Sequence, residues 1–368
     1  MMFDRRLIQY FDWSLLLLTL AIAGIGVGLI YSSVNTAEAA SASRIYLKQL
    51  SWLGIGLGVM VAVFLFSYKK LDRWAHAVYL LCVAMLIAVL LFGKTVGGAT
   101  RWLDLGFFLL QPSEPVKIGI ILILAHYFAK NVKPWGMGIR ELVLPLLLSL
   151  IPFGLVLMQP DLGTALLILL IAGTMAVFAK IERKTFFVLL AGSLVLGPMG
   201  WFFIEDYQRM RILMLFSPES DPMGAGYHIL QSKIAVGSGM LHGKGYMEGT
   251  QNILSFLPEQ HTDFIFSVLA EEWGFVGSAG LLFLFVLLIA FGLSIAYGCR
   301  DDFGTLLAFG ITAMIFWQTV INIGMVIGLM PVVGMPLPLV SYGGSSIVTT
   351  LLGIGILLNI SMRRFVKD

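Results

Sequence analysis

Asp263 stands where a long polar stretch meets an apolar run, in Glu259-Gln260-His261-Thr262-Asp263-Phe264-Ile265-Phe266. A carboxylate there can accept the proton of an attacking hydroxyl, and Phe264 and Phe266 would raise its pKa by removing water, as a general base requires. Thr262 and Asp263 are equally good N-cap types, so a capping reading stands beside the chemical one. Glu114 and Lys117, three apart at the start of another apolar run, share a helix face. Charge is costly at membrane depth unless paired or hydrated, so this pair reads as a structural ion pair or as the polar wall of a substrate cavity. Arg101-Trp102 lies just upstream. An arginine offers a planar fork of donors to a phosphate or pyrophosphate, whereas an interfacial tryptophan commonly anchors a protein in the membrane. Glu271 and Glu272 are expected along a hydrated outer approach to Asp263, with pairing to Arg209 or Arg211 as the alternative. Ser341, in Ser341-Tyr342-Gly343-Gly344-Ser345-Ser346, reads as part of a close-packing helix face or as the polar lining of a substrate groove.

Other patterns are weaker. Glycines 237, 239, 243, 245 and 249 surround Lys244, but neither a preceding strand nor a Gly-Lys-Ser/Thr context accompanies them, so a flexible turn is expected rather than a phosphate cradle. Gln111-Pro112-Ser113-Glu114 is echoed by Gln159-Pro160-Asp161, 48 residues on, each at the start of an apolar run where capping would use the same residue types. His261 with Asp263 is too sparse for a metal site, so the metal is unknown. No tightly bound cofactor is expected, although carboxylates near a pyrophosphate would be able to share a divalent cation such as Mg2+ with it. Cys82 and Cys299 read as packing residues.

The elements that must position these groups are helices in a bilayer. With 58% hydrophobic and 12% charged residues the chain cannot wrap its apolar content in a water-facing surface. Apolar runs of spanning length fall at about 13–33, 47–67, 74–92, 113–130, 141–158, 162–179, 185–204, 268–296, 304–328 and 339–360. The first is too long for a signal-peptide core. The expected fold is therefore all-α: a polytopic membrane protein of ten transmembrane helices, a single domain over 1–368. A large extracytoplasmic loop, 205–263, separates helices seven and eight. The region from about 264 to 297 is too long for one span, so its lipid-buried part should begin near Phe275. Basic residues gather at Arg5-Arg6, Lys69-Lys70-Arg73, Lys130-Lys133-Arg140, Lys180-Arg183-Lys184, Arg300 and Arg363-Arg364-Lys367, fifteen of the 24 in all. That bias puts both termini in the cytoplasm. A net charge of +3 gives no reason to expect nucleic acid.

Taken together these segments resemble the SEDS family (shape, elongation, division and sporulation). The resemblance covers nearly the whole chain. It rests on Arg101-Trp102-Leu103, Gln111-Pro112-Ser113-Glu114 with Lys117, Gln159-Pro160-Asp161-Leu162-Gly163-Thr164, Asp206-Tyr207-Gln208-Arg209, Gly224-Ala225-Gly226-Tyr227-His228, the Glu259–Phe266 segment and Pro338-Leu339-Val340-Ser341-Tyr342-Gly343-Gly344-Ser345. It implies a peptidoglycan glycosyltransferase of the bacterial cytoplasmic membrane, joining lipid II units at the outer face. Its implied partners are a class B penicillin-binding protein, other elongation-complex proteins and membrane lipid. Asp263 matches the loop acid that the family is thought to need for catalysis, and Glu114 and Lys117 match the polar pair beside its central cavity. The implied chemistry is a single inverting displacement that releases undecaprenyl pyrophosphate, with Lys117 and Arg101 steadying the leaving group. Arg101, Trp102, Glu114, Lys117, Glu271 and Ser341 are the expected substrate-binding residues. The rival functions are a lipid II flippase and the septal branch of the same family.

Overall fold

In hydrocarbon every backbone N–H and C=O must find its partner within the protein, and an apolar run meets that demand by coiling. A computed structural model describes residues 10–363 apart from 36–41, 97, 98, 105, 107, 132, 134, 135, 201, 203, 204, 218–224, 255, 257 and 258. Arg5, Arg6, Gly224, Arg364 and Lys367, all named above, lie outside the described residues, as do Leu257 and Pro258, which lead into the Glu259–Phe266 segment. The helices in chain order are α1 (Trp13–Asn35), α2 (Ala42–Leu65), α3 (Tyr68–Phe92), α4 (Ser113–Asn131), α5 (Ile139–Leu157), α6 (Leu162–Phe178) and α7 (Arg183–Gly200). They continue with α8 (Asp206–Phe216), α9 (Ala225–Ser238), α10 (Thr250–Ile253), α11 (Ile265–Gly298), α12 (Asp302–Val326) and α13 (Gly344–Arg363). Among the described residues seven helices are long and apolar enough to cross a membrane: α1, α2, α3, α5, α11, α12 and α13. Length and apolarity alone do not mark α4, which carries Glu114, Lys117 and Lys130, or α6, which has 17 residues.

Among the described residues the fold departs from all-α in one short sheet, besides an isolated bridge between Met137 and Ile181. Strands β1 (Lys94–Val96), β2 (Ala99–Asp104) and β3 (Leu109–Leu110) pair antiparallel in the order β1-β2-β3. Thr95, Val96 and Thr100 are β-branched and suit a short ribbon, too brief to register as alternation in the sequence.

α4, α12 and α13 form the centre of the bundle, and Ile121, Phe128, Ile311, Met314, Leu351 and Ile354 on them are fully buried. Outward faces of α3 and α5 are apolar and exposed, as at Leu80, Leu81, Leu91, Val143, Leu147 and Ile151, where lipid is the solvent. Glycines let backbones close on one another. Gly56 meets Leu351 and Gly355 meets Met60 between α2 and α13, while Gly26 of α1 lies against the backbone of Leu339 and Val340. At the far end of α13 the Asn359 amide donates to Val63 O and Phe66 O, both at 2.6 Å, and closes the turn from α2 to α3.

Two irregular places matter for function. First, α11 turns sharply at Gly274, whose φ of 63° and ψ of −155° lie outside helical geometry. Before it, residues 265–272 are buried; after it, Phe275, Val276, Phe283 and Val286 are exposed and apolar. The exposed apolar surface of α11 thus lies past the bend, where the lipid-buried part was expected to begin. The glycine-rich stretch is neither a loose turn nor a cradle, because it is wedged into this bend. Lys244 N donates to Glu271 O and Gly245 N to Glu272 O, while Phe275 N donates to Met240 O and Val276 N to Leu241 O. Second, residues 327–343 between α12 and α13 stay non-helical, so the last helix begins at Gly344 rather than near 339. Pro331, Pro336 and Pro338 withhold the N–H groups a helix would need there.

Candidate active site

The long loop arrives at Asp263 through Glu259–Phe264, a series of turns, and α11 begins at Ile265. The capping reading fails for Asp263: the N-cap of α11 is Phe264, and no side chain caps the helix. The Asp263 carboxylate is left partly exposed and free to act. Burial, above all, and the neighbouring Glu259 push its pKa up to about 7, while Arg211 and Arg101 pull the other way and Asp161 raises it slightly. A carboxylate balanced near neutrality can accept a proton in one step and return it in the next. Burial also lowers the pKa of His261, with Glu259 opposing, which favours a neutral ring beside the carboxylate.

The non-helical 327–343 segment holds Asp263 from the other side. The Asn322 amide donates to Asp263 O at 2.9 Å and to Met335 O at 2.7 Å. Ser341 Oγ donates to Thr262 O at 2.6 Å and accepts from Leu337 N at 2.8 Å, and Tyr342 N donates to His261 O at 2.9 Å. Gln49 of α2 donates from Nε2 to Ser341 O at 3.2 Å. Gly334 has φ of +70°, and a Cβ there would stand 3.3 Å from Asp263 Oδ2, so backbone approaches the carboxylate closely.

A second polar group faces Asp263 from β2, α4 and α6. Arg101 donates from Nε to Gln159 O at 3.2 Å and from Nη2 to Pro160 O, fixing β2 to the start of α6. These bonds use two of the five guanidinium N–H groups. Asp161 caps α6 by accepting from Thr164 N at 3.2 Å, and it also takes bonds from Ser113 Oγ at 3.4 Å and Gln111 Nε2 at 3.5 Å. The two echoed motifs therefore touch. One turn into α4, Lys117 Nζ meets Glu114 Oε2 at 2.7 Å, and both residues are buried. Trp102 is half-buried on β2, opposite Lys94.

Three expectations are corrected. Glu271 is not on a hydrated approach and does not pair with Arg209 or Arg211. It is 1% exposed and accepts from Lys244 Nζ at 2.6 Å, Thr250 Oγ1 at 3.1 Å and Gln251 N at 3.0 Å, so it pins the loop. Glu272 is also buried and accepts from Ser32 Oγ of α1. Ser341 does not line a groove, since its hydroxyl is spent on Thr262 and Leu337. Among the described residues no three His, Cys, Asp or Glu side chains converge as a bound metal would require. A groove of about 440 Å3 between α6 and α12, lined by Leu170, Thr174, Phe178 and Phe309 among others, is apolar and faces outward. It lies about 20 Å along α12 from Asn322, at about 1.5 Å per residue, and belongs to the lipid face.

Asn322 and Gln49 escaped the sequence reading. Each had a signal: a carboxamide within an apolar run is costly to bury unless it is bonded.

The model for the family FTSW_RODA_SPOVE, described as cell cycle protein, matches residues 12–365. Peptidoglycan glycosyltransferase MrdB of Escherichia coli (strain K12) is 42% identical over 358 residues, covering 96% of this chain and 94% of that protein. Peptidoglycan glycosyltransferase RodA of Treponema pallidum (strain Nichols) is 34% identical, covering 98% of this chain and 99% of its own length. Among solved structures, a chain from a study of the structural coordination of polymerization and crosslinking by a peptidoglycan synthase complex superposes with a TM-score of 0.81 at 33% identity. The match covers 97% of this chain and 99% of that one. The rod shape determining protein RodA of Thermus thermophilus superposes with a TM-score of 0.71 at 31% identity, covering 97% and 98%.

Proposed function

We propose that this chain, which belongs to the cell cycle protein family of FtsW, RodA and SpoVE, is a peptidoglycan glycosyltransferase that polymerises lipid II during cell elongation. The names of its relatives support the activity, and the rod shape determining protein RodA among its structural neighbours supports the elongation role. The observation that carries the mechanism is the Asp263 carboxyl, raised to about 7 in a partly open site beside Arg101 and Arg211. Asp263 takes the proton of the acceptor sugar's 4-hydroxyl as that oxygen attacks the anomeric carbon of the donor. The carbon–oxygen bond to pyrophosphate breaks, undecaprenyl pyrophosphate leaves with the electron pair, and the configuration inverts. One displacement needs no covalent sugar–protein intermediate. Arg211 and Arg101 supply positive charge beside the base, Arg101 as the pyrophosphate ligand, and the buried Glu114–Lys117 pair lies one turn into α4 behind it. Cations fixed in advance in a partly dry site act strongly on developing phosphate charge.

The architecture that goes with this activity has ten spans: the seven long apolar helices with α4, α6 and α7. Both termini are cytoplasmic, and the segment 205–263 and Asp263 lie on the outer face of the bacterial cytoplasmic membrane. A class B penicillin-binding protein is the natural partner, because nascent strands require cross-linking, and the synthase-complex neighbour supports that pairing.

The test is glycan-strand formation from purified lipid II by the full chain with its penicillin-binding partner, comparing wild type with Asp263→Ala. Polymer from wild type and none from an equally folded variant supports the reading. Equal polymer from both removes Asp263 as the base, and none from either moves the assignment to the flippase.

A further inference from the structure

Asp263 has no rigid element of its own. It ends a loop, and a base must be held to within a fraction of an ångström of the proton it takes. The hold comes from α12, a helix whose inward face is fully packed. Asn322 on it is 0% exposed and reaches two strands of irregular backbone at once: Asp263 O at 2.9 Å and Met335 O at 2.7 Å. Only the assignment with Nδ2 toward these two carbonyl oxygens makes hydrogen bonds. The amide's Oδ1 is buried with no partner among the described side-chain and backbone groups. A leucine of similar size would pack there without an orphaned acceptor, so the two donor bonds are what this amide contributes. Met335 lies one residue from Gly334, whose backbone closes on the carboxylate itself. We infer that Asn322 is a positioning residue for the glycosyl transfer, holding the backbone of Asp263 and of the 334–335 segment in one fixed relation so that the carboxylate meets the acceptor hydroxyl.

This inference rests on Asp263 being the base, and the experiment separates the two. Polymerisation of lipid II by the full chain with its partner is followed against substrate concentration and pH for wild type, Asp263→Asn, Asn322→Leu and Gln318→Leu. Gln318 lies one helical turn away on the same buried face, and neither of its amide atoms has a partner among the described groups. Asn322→Leu is expected to lower kcat about 100-fold, the scale of a misplaced catalytic group, with KM changed less than about twofold. Its acid limb should move to lower pH as the carboxylate swings toward water, while Gln318→Leu keeps the wild-type profile. A wild-type rate and pH profile for Asn322→Leu, with Asp263→Asn inactive, overturns the inference and leaves the base in place. An active Asp263→Asn overturns the base reading first. Equal losses in the two α12 variants mean that packing alone is at work and also overturn it. Should Asn322→Leu lack a cooperative melting transition, Asn322→Asp, with the same shape but without the two donors, carries the same comparison.

Discussion

Removing the charge at position 263 should strengthen the fold while abolishing its activity. The Asp263 carboxyl moves from an ordinary 3.8 to about 7 because burial disfavours its charged form. The sign follows from proton binding. Between those two values the native state holds a proton that the unfolded chain has released, so stability falls as pH rises from 3.8 and the loss is complete above about 7. Each tenfold change in proton affinity is about 1.4 kcal/mol, so the full cost above pH 7 is about 4 kcal/mol. That figure is a ceiling, because Asp263 keeps part of its surface in water. A carboxamide has nearly the same shape as a carboxyl and never ionises, so Asp263→Asn should melt above wild type at about pH 8, by about half as much at about pH 5.5, and nearly level with it near pH 4. The assay is thermal unfolding of the purified protein in one detergent at the three pH values, with polymerisation measured on the same samples. Wild-type polymerisation should rise through pH 7 and level off, while the variant stays inactive throughout. A melting difference that does not change with pH, or an amide variant less stable at pH 8, would refute the burial argument.

Three further outcomes follow from single contacts. Lys117→Met strands the buried Glu114 carboxylate and should cost about 3–5 kcal/mol of stability, whereas Lys117→Met with Glu114→Gln should recover most of the melting temperature without restoring polymer. Gly243→Ala, at φ +78° with a Cβ 2.1 Å from Glu272 O, should yield little folded protein, while Gly237→Ala, with nothing within 4 Å, should behave as wild type in yield and melting. Glu271→Ala should make the 240–253 stretch susceptible to protease with KM for lipid II unchanged; a raised KM and an intact loop would return Glu271 to the substrate site.

Much of the fold was legible because lipid imposes one solution on a long apolar run, and the helices stand where the runs fall. Arithmetic alone showed that the α11 region holds too many apolar residues for one crossing, but not that the excess is taken up by a bend at Gly274. What escaped was long-range. Nothing local in Ser341 or Glu271 tells a solvent-facing polar group from one already satisfied, since their partners, Thr262 and Lys244, lie 79 and 27 residues away. The β ribbon escaped because two to six residues per strand carry too little alternation. Asp263 and Arg101 stood out as charges at a boundary, and they do share one electrostatic neighbourhood. Asn322 was overlooked inside an apolar run that reads as span and nothing else.

The bend at Gly274 is held from outside the helix as well as from within it. In an unbroken helix Phe275 N and Val276 N would donate to Glu271 O and Glu272 O, whereas here both donors turn to Met240 and Leu241 and both acceptors to Lys244 and Gly245. Two intrahelical bonds are exchanged for four with a stretch of chain synthesised earlier. Those four bonds hold residues 240–245 and α11 to each other, so the bend depends on that stretch as much as on Gly274. The eight buried residues before the bend, which begin two residues after Asp263, are in this sense a separate short helix docked by its neighbour rather than the first turns of a span.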